Sequence, residues 1–223
     1  MTVANSVRPP NSNAHRLAWR FVLLLGVVSL FGDVTYEGAR SITGPFLAVL
    51  GATGAAVGLV AGLGELVGYG LRLVSGLISD RTGRYWLLTI AGYALNLLAV
   101  PLLALAGSWQ AVALLIVAER LGKALRTPAR DAMLSHAASQ IGGGRAFGVH
   151  EAMDQTGAVL GPLIVAAVLA LRGDYRTAFA VLLIPAVAAL AVLTVARLAY
   201  PHPRDLEVDS TLLQPANLYR DFC

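Results

Sequence analysis

The sequence predicts an all-α membrane protein, a bundle of six transmembrane helices. Three observations predict it. Of 223 residues, 57% are hydrophobic and only 13% are charged, and the mean hydropathy is +0.67. A soluble domain is typically about 25% charged, and a single water-soluble core of this size cannot hide so much apolar surface. Second, a membrane-crossing helix needs roughly 20 apolar residues, so about 120 residues make six spans, whereas twelve would need about 240, more than the chain has. Third, the basic residues alternate between the two sides of the spans that result. The same composition excludes a disordered chain. The charge balance, 17 basic against 13 acidic, shows no clustering of basic residues with aromatics, so nucleic acid is a poor partner. Cys223 is the single cysteine, so neither a disulfide framework nor a cysteine metal site can form within the chain.

Residues 1–18 are polar and contain Pro9 and Pro10, and they read as a disordered cytoplasmic lead-in. Arg16 and Arg20 before an apolar run imitate a signal peptide, but no small-residue cleavage site follows and Asp33 and Glu37 do. Span 1 is expected at about 19–50, span 2 at 56–79 and span 3 at 86–106. Span 4 is expected at 109–125, where Pro128 should stop the helix. A polar loop is expected over 127–144, followed by span 5 at 145–171 and span 6 at 177–199. Residues 200–223 read as a cytoplasmic tail. Trp19 and Trp109 suit the membrane–water interface.

Orientation follows from Lys and Arg. The N-terminus, the 2–3 turn, the 4–5 loop and the tail are rich in arginine. The 1–2 and 3–4 turns have none, and the 5–6 turn has Arg172 and Arg176. Both termini are therefore expected in the cytoplasm, with the protein multi-pass in the inner (plasma) membrane.

The 2–3 turn carries Gly76, Asp80, Arg81, Gly83 and Arg84 in the pattern G-x-x-x-D-R-x-G-R. Gly76 permits close helix packing, Gly83 permits a positive φ, and Asp80 can face a helix N-terminus. This pattern, in this place, resembles the signature loop of the major facilitator superfamily. Tyr85 and Trp86 stand where the family usually has a further basic residue. Arg120 followed by Gly122 on span 4 resembles the family's second motif, and Gly157, Gly161 and Pro162 on span 5 resemble the Gly-x-x-x-Gly-Pro motif of its exporters. The resemblance runs from span 1 to the tail. It implies the N-terminal six-helix half of a transporter with its substrate site near the midplane, where two halves meet. It also implies that the signature loop latches the halves, with Lys123, Arg126, Glu151 and Asp154 as expected latch partners. The missing partner is then a C-terminal half or a second copy, and the chain reads as a fragment or truncated product.

Charge inside the spans is the remaining signal. A charged side chain at the bilayer centre costs at least about 2.5–3.5 kcal/mol on the insertion scale. Asp33, Glu37 and Arg40 are spaced four and three apart, on one helical face. With Glu65 on span 2 and Glu119 and Arg120 on span 4 they form the expected proton-coupling and substrate cavity. Asp33 or Glu37 is expected to take up the proton. The reading is secondary active transport of a small organic solute by alternating access, as proton-coupled efflux or antiport. An uptake permease of the same superfamily and a non-transporting accessory subunit are the alternatives. No enzyme, cofactor or metal site is expected: there is no His-Glu-x-x-His and no Gly-x-Ser-x-Gly, and His136 and His150 read as surface residues of the polar loop.

Overall fold

A computed structural model describes residues 12–207. Seven α-helices follow one another: α1 (Ser12–Val49), α2 (Gly54–Thr82), α3 (Tyr85–Leu102), α4 (Trp109–Ile141), α5 (Gly143–Arg172), α6 (Tyr175–Val181) and α7 (Leu183–Ala199). A 3₁₀ turn, Leu103–Leu105, prolongs α3, and another, Pro203–Leu206, closes the described chain. α6 and α7 form one rod interrupted at Leu182. Pro185 has no N–H for the Val181 carbonyl, so the break falls where the proline sits in the first turn of the new helix.

The turns are short because each is capped by local chemistry. Thr53 accepts from the N–H of Ala56 at the start of α2. At its end Gly83, at φ +62°, donates its N–H to the Ser79 carbonyl, a conformation that suits glycine. Ser108 accepts from Ala111 at the start of α4. Asp174 begins α6. The hydroxyl and N–H of Thr177 and the N–H of Arg176 bond its carboxylate and hold it below the usual carboxylate range.

Two differences from the sequence reading stand out. Helix α1 already begins at Ser12, inside the stretch read as lead-in, while residues 1–11 and the tail beyond 207 lie outside the described residues. The larger difference is α4. It runs on to Ile141, so Pro128 does not stop it and the loop expected over 127–144 shrinks to a break at Gly142. The reason is visible at Pro128. A mid-helix proline orphans the carbonyl four residues back, which is that of Ala124. The hydroxyl of Ser75 on α2 donates to it at 2.6 Å. Beyond the proline, Met133, Leu134, Ala137 and Ile141 are buried, and alanines favour the helix. Ser75→Ala should therefore loosen α2 from α4 and cost about 1 kcal/mol. Ser75→Thr, which keeps the hydroxyl, should unfold with the wild type in a detergent melting experiment.

Five of the rods are long and apolar enough to cross a membrane: α1, α2, α3 with its 3₁₀ turn, α5, and α6 with α7. α4 is as long, but Glu119, Arg120, Lys123 and Arg126 crowd its middle. α1 packs mainly on α5 and α7, α3 on α4, and α2 on α4. One apolar core, around Phe21, Leu25, Tyr93, Leu97 and Leu193, lies toward the arginine-rich end. A second, around Phe46, Leu47, Val100, Leu103 and Phe179, lies toward the other end. Along α1 the polar stretch from Ser29 to Arg40 lies between them, so the helix carries charge at mid-height and grease above and below.

Two crossings depend on glycine. A Cβ on Gly161 would fall into the backbone of Val34 and lie 2.8 Å from the N of Gly38, and one on Gly157 would fall into the Leu30 carbonyl. α5 and α1 thus meet backbone to backbone. α3 and α4 meet the same way at Gly92 and Gly122. Pro162 follows Gly161 within α5.

Candidate functional site

The mid-height charges of α1, α2 and α4 converge on one groove. Helical spacing turns Tyr36, Glu37 and Arg40 to the same side of α1, and α2 brings Glu65 opposite them. Glu65 is shared: its Oε1 lies 3.2 Å from Arg120 and 3.5 Å from Arg40. Arg40 also lies 3.6 Å from Glu37. Tyr36 forms a shelf between cations, with the Lys123 ammonium 3.4 Å and the Arg120 guanidinium 5.0 Å from its ring centre. Glu119 is buried and turns toward α3, where the amide of Asn96 donates to its carboxylate at 2.6 Å. The groove holds a cavity of about 400 Å³ beside a smaller one of about 240 Å³, and Tyr36, Arg40, Glu65 and Arg120 line both.

A second polar cluster lies deeper, toward the arginine-rich end. Arg126 is 1% exposed and pairs with Asp33 at 3.5 Å, its guanidinium over the Tyr93 ring at 4.3 Å. One turn on, Arg130 donates to the Ser29 hydroxyl at 2.8 Å and lies 3.0 Å from Asp131 and 3.9 Å from Asp154. Ser29 also meets the Tyr93 hydroxyl at 3.2 Å and Nε2 of His150 at 3.0 Å. Four helices, α1, α3, α4 and α5, are tied through this serine and this arginine.

The residues expected in the cavity, Glu37, Arg40, Glu65, Glu119 and Arg120, all line one compartment or the other, while Asp33 sits behind them in the Arg126 pair. Within this half the residues expected in the latch do not meet one another. Asp80, Arg81 and Arg84 are exposed and make no side-chain hydrogen bond or ion pair among the described residues. Gly76 faces Pro128 across the α2–α4 contact. Lys123 and Arg126 point inward to Tyr36 and Asp33, because the helical turn that carries them faces α1. Asp154 turns to Arg130, and Glu151 accepts from Gln155 on its own helix. His150 corrects the surface reading: it is 3% exposed and bonded to Ser29. His136 lies 3.0 Å from Glu207.

Ser29, Tyr36, Tyr93, Asn96, Arg130 and His150 escaped the sequence reading. Ser29 sits four residues before Asp33 and Arg130 four after Arg126, so both share a face with a recognised charge. Extending α4 through Pro128 exposes the second relation. Tyr93 and Asn96 give no charge signal.

Comparison with known proteins places these residues in a wider set. A family model described as Major Facilitator Superfamily matches residues 22–220. An uncharacterized protein of Mycobacterium tuberculosis is 56% identical over 191 residues, covering 85% of this chain and 47% of that protein. An uncharacterized MFS-type transporter of Methanocaldococcus jannaschii is 32% identical over 151 residues, covering 68% of this chain and 37% of its own length. The multidrug resistance protein MdtH of Proteus mirabilis is 32% identical over 153 residues, covering 69% and 38% respectively. The chain thus spans about half the length, or less, of the curated relatives it matches.

Proposed function

The chain belongs to the Major Facilitator Superfamily, and from that premise we propose that it supplies one six-helix half of a secondary transporter. This multi-pass membrane protein carries a small organic solute by alternating access, with both termini in the cytoplasm and the inner membrane as its site. The observation that carries the reading is the exposure of charge at mid-height. The Arg40 side chain is 53% exposed and that of Glu65 38%, both on membrane-length helices. In lipid each would cost at least about 2.5–3.5 kcal/mol. A water-filled path covered by a second half removes that cost. The flanking faces, where α2 exposes Leu59, Leu66 and Leu73 and α5 exposes Val159 and Leu163, suit lipid as well as a second half. A C-terminal half or a second copy is the proposed partner.

Proton coupling and efflux are the finer part of the proposal. Asp33 would exchange its Arg126 partner for a proton as the halves rock, with Glu37 and Arg40 between it and the solute. The name of the Proteus relative, a multidrug resistance protein, favours export over uptake, as does the Gly157–Gly161–Pro162 run. In that setting the loop of Asp80, Arg81 and Arg84 would find its latch partners on the second half.

The test is uptake into everted vesicles that contain the assembled protein, driven by an imposed pH gradient. Three radiolabelled naphthalene probes serve: a sulfonate, a trimethylammonium and an alcohol. Gradient-driven accumulation of at least one, lost in Asp33→Asn and kept in Asp33→Glu, is the expected result. Wild-type rates in Asp33→Asn would refute proton coupling, and no accumulation of any probe would refute transport.

A further inference from the structure

The two compartments of the groove differ in chemistry. The larger is walled mainly by aliphatic side chains, among them Leu47, Val57, Val60, Val100, Leu103 and Ile116. Its acid Glu119 is already engaged by Asn96 and lies 3.4 Å from the Arg120 guanidinium. The smaller is charged and unbalanced. It presents Arg40, Arg72, Arg120 and Lys123 against Glu37 and Glu65, a surplus of two positive charges. Both acids are occupied: Glu65 by Arg120 and Arg40, and Glu37 by Arg40. Arg72 and Lys123 have no carboxylate within 4.0 Å among the described residues. Arg72 lies 5.1 Å over the Tyr69 ring, and its buried Nε lacks any hydrogen-bond acceptor. Lys123 has the Tyr36 ring beneath it, which leaves its N–H donors unspent.

We infer that the transported solute is an amphipathic organic anion, whose acidic group is held by Arg72 and Lys123 and whose apolar body fills the larger compartment. The inference rests on the transport reading above. An anion supplies the acceptors that Arg72 and Lys123 lack, and charge-assisted hydrogen bonds are the strong ones. A cationic solute would have to enter a compartment that is already net positive, which costs affinity. A neutral solute offers Arg72 and Lys123 only uncharged acceptors, whose hydrogen bonds are about half as strong as charge-assisted ones. The larger cavity, of about 400 Å³, falls within the usual range for a small organic ligand, roughly 300–1,000 Å³.

Equilibrium dialysis on the purified full chain in nanodiscs tests it, with empty nanodiscs subtracted. The probes are 2-naphthalenesulfonate, the matching naphthyltrimethylammonium and 2-naphthalenemethanol, which share one apolar body. The sulfonate should bind about tenfold or more tighter than the alcohol, the yield of one charged hydrogen bond, and the ammonium more weakly than the alcohol. The double variant Arg72→Gln/Lys123→Gln should bring the sulfonate to the level of the alcohol and leave alcohol binding unchanged, which shows that the groove is intact. Arg72→Lys should keep the preference, and Arg197→Gln, remote from the groove, should not alter it. An ammonium that binds as tightly as the sulfonate overturns the assignment, as does a sulfonate preference that survives in the double variant. Either result leaves the groove as a solute site and transport standing. Binding of none of the three overturns both the anion and the groove, and the vesicle experiment then judges transport separately.

Discussion

Arg126→Leu should destabilise the bundle by about 3–5 kcal/mol, the usual cost of removing one partner of a buried ion pair. The guanidinium is 1% exposed, 3.5 Å from Asp33 and stacked over Tyr93. Its loss leaves a carboxylate with no close partner between two apolar cores, and it also opens a void beneath Tyr93. Asp33→Asn should cost less, because the amide still fills the space, although Arg126 already has two buried nitrogens, Nε and Nη1, without hydrogen-bond partners. The double variant Asp33→Asn/Arg126→Leu should recover a large part of the loss, since it removes both charges together. Melting in detergent of the two single variants and the double variant forms a mutant cycle. Strict additivity would mean that the pair contributes nothing, and the coupling assigned here to Asp33 would lose its structural basis.

The α1–α5 crossing gives the second large effect. Gly161→Ala pushes a methyl group into the Val34 backbone and the N of Gly38, and Gly157→Ala does the same at the Leu30 carbonyl. Backbone cannot rotate away as a side chain can. Each change should cost about 1–3 kcal/mol, the range for overpacking a tight interior, and Gly161→Leu more. Gly148 is the control. It lies on the same helix with nothing near its would-be Cβ, so Gly148→Ala should stabilise by up to about 1 kcal/mol. If Gly161→Ala melts with the wild type while Gly148→Ala stabilises, the helices do not meet as described. The crossing also bears on function, because α1 carries Asp33 on the turn that Gly161 touches. A separated α5 should therefore weaken transport even at temperatures where the protein stays folded.

Why some features were legible in the sequence and others were not has a physical pattern. Long apolar runs declare membrane helices because lipid leaves the backbone no other partner, so the rods could be read from hydropathy. The glycines of α5 and the charges of α1 were legible because their spacing is a property of one helix. What depends on a second helix was not. Pro128 reads as a helix stop until Ser75, on another helix, supplies the missing donor. Arg126 and Lys123 read as latch partners because they adjoin the supposed loop, yet the continued helix turns them inward. His150 looked exposed for the same reason: the loop around it does not exist. The signature turn shows the reverse case. Gly83 takes up the positive φ that its place requires, but Asp80, Arg81 and Arg84 find no partners among the described residues, because their role in the proposal belongs to a surface on the other half.

In the transport cycle proposed here the groove of α1, α2 and α4 opens to each side of the membrane in turn. A cysteine at Thr43, on the groove wall, in a Cys223→Ser background, tests it with a membrane-impermeant maleimide. Right-side-out and inside-out vesicles holding the assembled protein are each labelled, and Leu73→Cys on the exposed apolar face of α2 serves as the reference. The Thr43 position should be labelled from both faces and the Leu73 position from neither. Labelling of Thr43→Cys from one face alone, or as poorly as Leu73→Cys from both, would contradict alternating access through this groove.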